Sequence, residues 1–181
     1  VVGKSNSENW VSAPFNTQPS NLDAMYKNVS EKFEFTSKKG VYFDEENRHH
    51  IISIRNTMAK TAGNLADANR KDDATKILNK AEQLIPESTM PYAMPSRLGI
   101  YHNYYGLVYL EAAYKAGNKE VAQKVKKQIA ESFKQEKEYY DYIIAEKTER
   151  AGDLANDRNT LTEQLQMLDE IEKRYNPAAT V

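Results

Sequence analysis

One short pattern occurs twice in this chain and limits what it can fold into. Asn69-Arg70-Lys71-Asp72-Asp73-Ala74 lines up with Gly117-Asn118-Lys119-Glu120-Val121-Ala122. Each copy has Asn or Gly where a helix would end, then a charged turn, then a small residue where two helices can approach closely. Ile77 then matches Val125, and Ala81 matches Ile129. Asn and Gly tolerate the left-handed backbone that closes many helices, so each copy reads as the turn of a helical hairpin. The copies stand 48 residues apart, at positions 69 and 117, because a loop intervenes. Hairpins repeated along a chain point to helices stacked in series.

The residues around these turns recur with a helical period. Ile51, Arg55, Met58, Ala62 and Leu65 share one face, with Asp44 as N-cap, Glu45 and Glu46 in the first turn, and an end near Asn69. A second helix follows through Ala74, Ile77, Leu78, Ala81 and Leu84, and Pro86 stops it. Pro86, Pro91 and Pro95 mark the next stretch as an irregular loop. Residues 120–175 contain no proline and one glycine, Gly152. Leu154, Leu161, Leu168 and Tyr175 recur every seven residues there, with Leu165 and Ile171 beside them. That stripe suits a C-terminal capping helix packed on the repeats, or a seam for a second copy of the chain. Fewer than four heptads is short for a free coiled coil. The first 43 residues, with Trp10, Pro14, Pro19, the polar run 16–21 and Gly40, have no sustained period. They read as an extended arm with one short helix over 21–33, capped by Asn21 and followed by a turn at Lys38, Lys39 and Gly40. The expected fold is all-α: an arm over 1–43, then a helical domain over 44–181. That domain would hold one hairpin at about 48–86, another at about 98–133, and a long C-terminal helix at about 153–175.

Composition closes off several functions. With 181 residues, 40% hydrophobic and 28% charged, the chain has the length and polarity of one folded domain. Twenty-five Lys and Arg against 26 Asp and Glu leave a net charge of −1, too little field to recruit nucleic acid or an anionic membrane. The absence of cysteine removes thiol nucleophiles, thiolate metal sites and disulfides. The longest apolar run, residues 104–110, is seven long, against the roughly 20 that a spanning helix needs.

Tyrosine is the residue type that stands out. Tyr101, Tyr104, Tyr105, Tyr109 and Tyr114 fall within one predicted helix, and Tyr139, Tyr140 and Tyr142 form a second cluster. Tyr101, Tyr105 and Tyr109 are spaced by four and are read as one face with Val108 and Ala112. A tyrosine offers a flat apolar ring and a polar tip, suited to stacking on a sugar or gripping a peptide, and equally suited to a core whose hydroxyls reach the rim. The candidate binding residues are therefore Tyr101, Tyr104, Tyr105, Tyr109, Tyr139 and Tyr140. His49 and His50 are adjacent in a first turn, about 100° apart, and do not suit one metal. His102 stands alone beside the tyrosines. Lys124, Lys126 and Lys127 read as a solvated basic face. No phosphate loop, nucleophile elbow or zinc-binding His pair occurs, so no metal or cofactor is expected.

Two resemblances add to this reading. Ala62, Leu65, Ala74, Leu78, Ala81 and Pro86 resemble the small, large and terminal proline positions of a tetratricopeptide repeat over 58–86. The second copy fits at Ala113-Tyr114-Lys115-Ala116-Gly117 and Ala122, and departs at Lys126, where a large apolar residue is usual. A rotated register of that helix follows from the departure. Asp23-Ala24-Met25-Tyr26-Lys27-Asn28, Lys32-Phe33, Val41-Tyr42-Phe43-Asp44-Glu45, Arg48, Lys71, Ile85-Pro86, Pro91-Tyr92, Ala113 to Gly117 and Tyr139-Tyr140 come in a distinctive order. That order is similar to the soluble tail of a family of uncharacterised bacterial multi-pass membrane proteins. The membrane part of that family resembles protein O-mannosyltransferases of the glycosyltransferase-C type. Such tails usually carry an aromatic-rich segment directly after the Pro-Tyr motif, whereas Ala93-Met94-Pro95-Ser96-Arg97 intervenes here before Tyr101.

The resemblance implies an extracytoplasmic, periplasmic domain of a larger inner-membrane protein, joined to the membrane only through an upstream transmembrane part. Catalytic acids of glycosyltransferase-C enzymes lie in loops of the membrane part, so this chain by itself is expected to be non-catalytic. Turnover of a polyprenyl-phosphate sugar by these 181 residues would overturn that. Its expected role is to bind or position a protein or glycan partner. The alternative is a stand-alone adaptor of the tetratricopeptide type that binds a peptide. An upstream reading frame with several apolar stretches of about 20 residues goes with the first, and a signal peptide or lipid-attachment cysteine with the second. The C-terminal helix is the expected place for any oligomer contact.

Overall fold

The computed structural model describes residues 10–13, 16–34, 43–94, 99–146 and 151–176. The turn expected at Lys38, Lys39 and Gly40, and Pro95 of the loop, lie outside them. Apart from one short strand pair the described elements are helical, and the chain divides into two compact units. One comprises residues 1–90 and 112–119, the other 91–111 and 120–181.

In the first unit, β1 (Trp10–Ala13) pairs antiparallel with β2 (Asn16–Asn21), with an irregularity between Ser12 and Ala13. The sequence reading of a plain extended arm missed this pairing, because the polar run of β2 has no alternation to announce a strand. Both strands of a two-stranded ribbon are edges, which accommodates Pro19 opposite Ser12. Asn21 then caps α1 (Leu22–Lys27), its side-chain oxygen accepting from Ala24 N at 2.9 Å. The helix expected to reach Phe33 instead widens into a π-turn at Asn28–Lys32. Lys80 Nζ donates to the carbonyls of Val29 and Ser30 there, at 3.0 and 2.7 Å.

The long helix α2 (Glu45–Asp67) starts at Asp44, whose carboxylate accepts from Asn47 N at 2.8 Å. It packs against α3 (Lys71–Leu84) through Met58, Ala62 and Leu65 on one side and Ala74, Ile77, Leu78 and Ala81 on the other, all buried. The two matched turns are one cap made twice. Asn69 (φ 63°) and Gly117 (φ 76°) both take the left-handed conformation. Arg70 N donates to Leu65 O at 2.8 Å, and Asn118 N to Ala113 O at 3.0 Å, the same reach of five residues back. The charged turn is tied down by Arg70, which bonds Asp73 at 2.9 Å and Asp23 of α1 at 2.6 Å. A second small cluster gathers Ile51, Ile85 and Met90, flanked by Phe43, Ile52, Ile54 and Leu84. Beside it the buried guanidinium of Arg55 donates to Ile85 O at 2.9 Å and Met90 O at 2.5 Å.

The second unit is built on α4 (Gly99–Ala116) as far as residue 111, α5 (Lys119–Glu146) and α6 (Ala151–Tyr175), with the segment 91–94 against them. The second helix of the repeat was expected to end near 133, yet α5 continues to Glu146. Residues 119–146 contain neither glycine nor proline, so nothing breaks it. Lys126 with Glu172, and Asp141 with Arg158 at 3.1 Å, set α5 antiparallel to α6. Asn103 with Gln164, and Glu111 with Arg174, set α4 parallel to α6. Leu161, Leu168 and Ile171 of the heptad stripe are buried within the chain itself, while Leu154, Leu165 and Tyr175 are half-buried. Lys126, read as part of a solvated basic face, is instead half-buried in its pair with Glu172. No helix among the described residues is long and apolar enough to cross a membrane.

Candidate functional site

The buried stripe of α5 runs through Val121, Ala122, Val125, Ile129 and Phe133 and resumes only at Ile143. Between them, three and seven residues after Phe133, stand Glu136 and Tyr140, both half-buried. Matching polar residues face them from the neighbouring helices: Asn103 of α4 and Gln164 of α6, both buried. Polar groups taken out of water need partners, and these supply one another. Asn103 Nδ2 donates to Gln164 Oε1 at 3.1 Å and to Glu136 Oε2 at 3.4 Å, and Tyr140 OH donates to Glu136 Oε1 at 2.9 Å.

The same network holds the segment 91–94. Asn103 Oδ1 accepts from Met94 N at 3.1 Å. The Gln128 amide works in both directions, Oε1 accepting from Tyr92 N at 2.6 Å and Ala93 N at 3.0 Å while Nε2 donates to Ala93 O at 3.0 Å. His102 Nε2 lies 2.7 Å from Pro91 O, so this histidine is a buried partner of the loop. Three side chains thus do for an irregular segment what a helix or sheet does for a regular one. Tyr92 is buried there, its ring 5.5 Å from that of Tyr109, with the Lys124 ammonium 5.6 Å from the Tyr92 ring centre.

On the outer side of this layer α5 lines a cavity of about 370 Å³ with Ser132, Gln135, Glu136, Tyr139 and Tyr140. The rings of Tyr139 and Tyr140 are 5.7 Å apart. Tyr139 is 54% exposed and Tyr142, three residues further along the helix, 61%, more than a core assignment allows. Burial, then the hydrogen bond to Glu136 and its charge, raise the Tyr140 phenol well above the usual tyrosine range. Its proton stays in place and points at the carboxylate. A tyrosine in the unfolded chain releases its proton near pH 10, whereas Tyr140 holds on beyond it. Above about pH 10 the unfolded state therefore binds fewer protons, and stability, intact below that pH, falls as pH rises. The folding free energy from urea titrations at pH 8 and above is expected to decline with pH, and Tyr140→Phe to flatten the decline. An unchanged slope in the variant would refute this.

Of the six expected binding residues, Tyr139 and Tyr140 line the cavity. Tyr101, 57% exposed, lies 6.4 Å from Tyr105, which lies 6.1 Å from Tyr104, a ladder of rings on α4 with the last two half-buried. Tyr109 is corrected to the core: it is fully buried. A step of four residues overshoots a helical turn by about 40°, so from Tyr101 to Tyr109 the face rotates by about 80° into the interior. His49 and His50 are exposed, with His50 3.3 Å from Glu46. Among the described residues no three His, Asp or Glu groups converge as metal ligands. Sequence reasoning missed Asn103, Gln128, Glu136 and Gln164. The signal available for Glu136 was a carboxylate in an apolar slot, four residues before Tyr140. No protein-family model, no curated protein and no solved structure matches the chain.

Proposed function

We propose that the chain is a non-catalytic interaction domain of tetratricopeptide-like helical hairpins whose groove on α5 holds a segment of a protein or glycan partner. The observation that carries this reading is the open cavity walled by Tyr139 and Tyr140, whose lining on α5 is completed by Ser132, Gln135 and one charged residue, Glu136. Two hairpins closed by the same left-handed cap, with alanines at 62, 74 and 81 between the first pair of helices, support the repeat class. Glu136 is held as an acceptor by Tyr140 and Asn103, an arrangement that positions a ligand rather than shuttles a proton. The order of sequence features from Leu22 to Tyr142 supports an extracytoplasmic setting beside a membrane-bound glycosyltransferase-like part. In that setting, holding a partner raises its effective concentration at the membrane.

Peptide and glycan arrays probed with the 181-residue chain and with a Tyr139→Ala/Tyr142→Ala variant test the reading. Both rings are more than half exposed, so their removal leaves the core intact. Selective retention by the parent chain, lost in the variant, is expected. Equal retention by both, or none by either, would overturn it.

A further inference from the structure

We infer that the groove on α5 takes the lysine side chain of a polypeptide partner, an inference that rests on the groove being an interaction site. The argument begins with charge. Glu136 accepts from a phenol and an amide, both neutral, and among the described residues no cation bonds it. The cations around it are engaged elsewhere: Lys137 with Asp141 at 2.5 Å, Arg158 with Asp141 at 3.1 Å, Lys134 with Glu138 at 3.9 Å. Asp157 adds negative potential at Tyr140. A half-buried carboxylate with no counter-charge is costly, and an arriving cation relieves the cost.

The walls select the kind of cation. Tyrosine faces attract ammonium and guanidinium groups, and their hydrocarbon surface suits the stem of a long cationic side chain. Arginine favours a carboxylate with both oxygens open to its planar fork. Here each oxygen already accepts one bond, Oε1 from Tyr140 and Oε2 from Asn103, so one lone pair remains on each, and an ammonium can take either without the coplanar alignment on both that a guanidinium fork requires. The volume of about 370 Å³ is at the small end of ligand pockets, room for one long side chain together with the backbone that carries it. Tyr142, exposed beyond the cavity, gives residues flanking that lysine a surface which a free amine would leave uncovered.

Calorimetric titration and amide chemical-shift mapping of the 181-residue chain decide the matter. The probes are the blocked peptide acetyl-Gly-Ser-Lys-Ser-Gly-amide, its arginine and acetyl-lysine counterparts, n-butylamine and mannotetraose. The lysine peptide is expected to shift the amides of Ser132 to Tyr140, and to bind about tenfold or more tighter than the acetyl-lysine peptide. Glu136→Gln is expected to lose the same factor. Because Glu136 belongs to a network, Tyr139→Ala provides the second variant: it is expected to weaken the lysine peptide several-fold with the rest of the spectrum unchanged. Equal binding of lysine and acetyl-lysine peptides, or tighter binding of the arginine peptide, would overturn the inference and leave the interaction groove standing. Butylamine binding as tightly as the peptide would overturn the polypeptide source. Shifts at these amides from mannotetraose alone would overturn the lysine and keep the groove. No shift there from any probe would count against both.

Discussion

A Gly106→Ala variant is expected to melt about 10 °C below the parent chain. Glycine to alanine inside a helix ordinarily stabilises by up to ~1 kcal/mol, so the sign is reversed here. A Cβ at position 106 would stand 2.2 Å from Tyr92 O, 3.1 Å from Tyr92 C and 3.3 Å from Ile129 Cδ1. The first two are backbone atoms and have no rotamer to escape into. Tyr92 cannot retreat without stretching the bonds from its own N–H and that of Ala93 to Gln128, or parting its ring from Tyr109. Overpacking and weakened hydrogen bonds together cost ~3–5 kcal/mol. Thermal unfolding followed by circular dichroism gives the answer; an unchanged or higher midpoint would mean that the segment 91–94 gives way freely.

Arg55→Met is the second large effect. Methionine keeps much of the apolar stem but removes the donor that serves Ile85 O and Met90 O, carbonyls of two fully buried residues. Hydrogen bonds to a charged donor are worth ~1.5–3 kcal/mol each, so a loss of ~3–5 kcal/mol is expected in urea unfolding. Arg55→Lys keeps the charge but not the fork, and is expected to fall between the two. A loss under ~1 kcal/mol for Arg55→Met would show that the loop after α3 does not depend on this side chain.

These two positions also mark where the sequence could be read and where it could not. Asp44, Asn21, Asn69 and Pro86 were legible because a cap or a stop acts on its own few neighbours. Arg55 was placed correctly on the inner face of α2, but periodicity does not say that an inward arginine serves carbonyls 30 and 35 residues away. Tyr139 and Tyr140 were legible as a cluster, since composition is local. Their network was not: Asn103 meets Glu136 across 33 residues and Gln164 across 61, and nothing near any of the three announces the others. Tyr109 failed through treating a spacing of four as a straight line along a helix that turns every 3.6 residues. The ribbon at Trp10–Ala13 failed because pairing is a relation between two segments, neither of which carries a strand pattern alone.

The layer of Asn103, Glu136 and Gln164 resolves an ambiguity that the hydrocarbon seam of α6 leaves open. Leu154, Leu161, Leu168 and Tyr175 repeat every seven residues, so sliding α6 by about 10 Å maps apolar residues onto apolar residues and is nearly degenerate for burial alone. Gln164 has no such copy. Under that slide leucine or tyrosine still meets hydrophobic neighbours, but the residue brought opposite Asn103 is Ile171 in one direction, which cannot accept its amide hydrogen bond, and Asp157 in the other, which sets a second carboxylate beside Glu136. One alignment of the three helices is singled out, and it is the alignment in which Glu136 is presented to the groove.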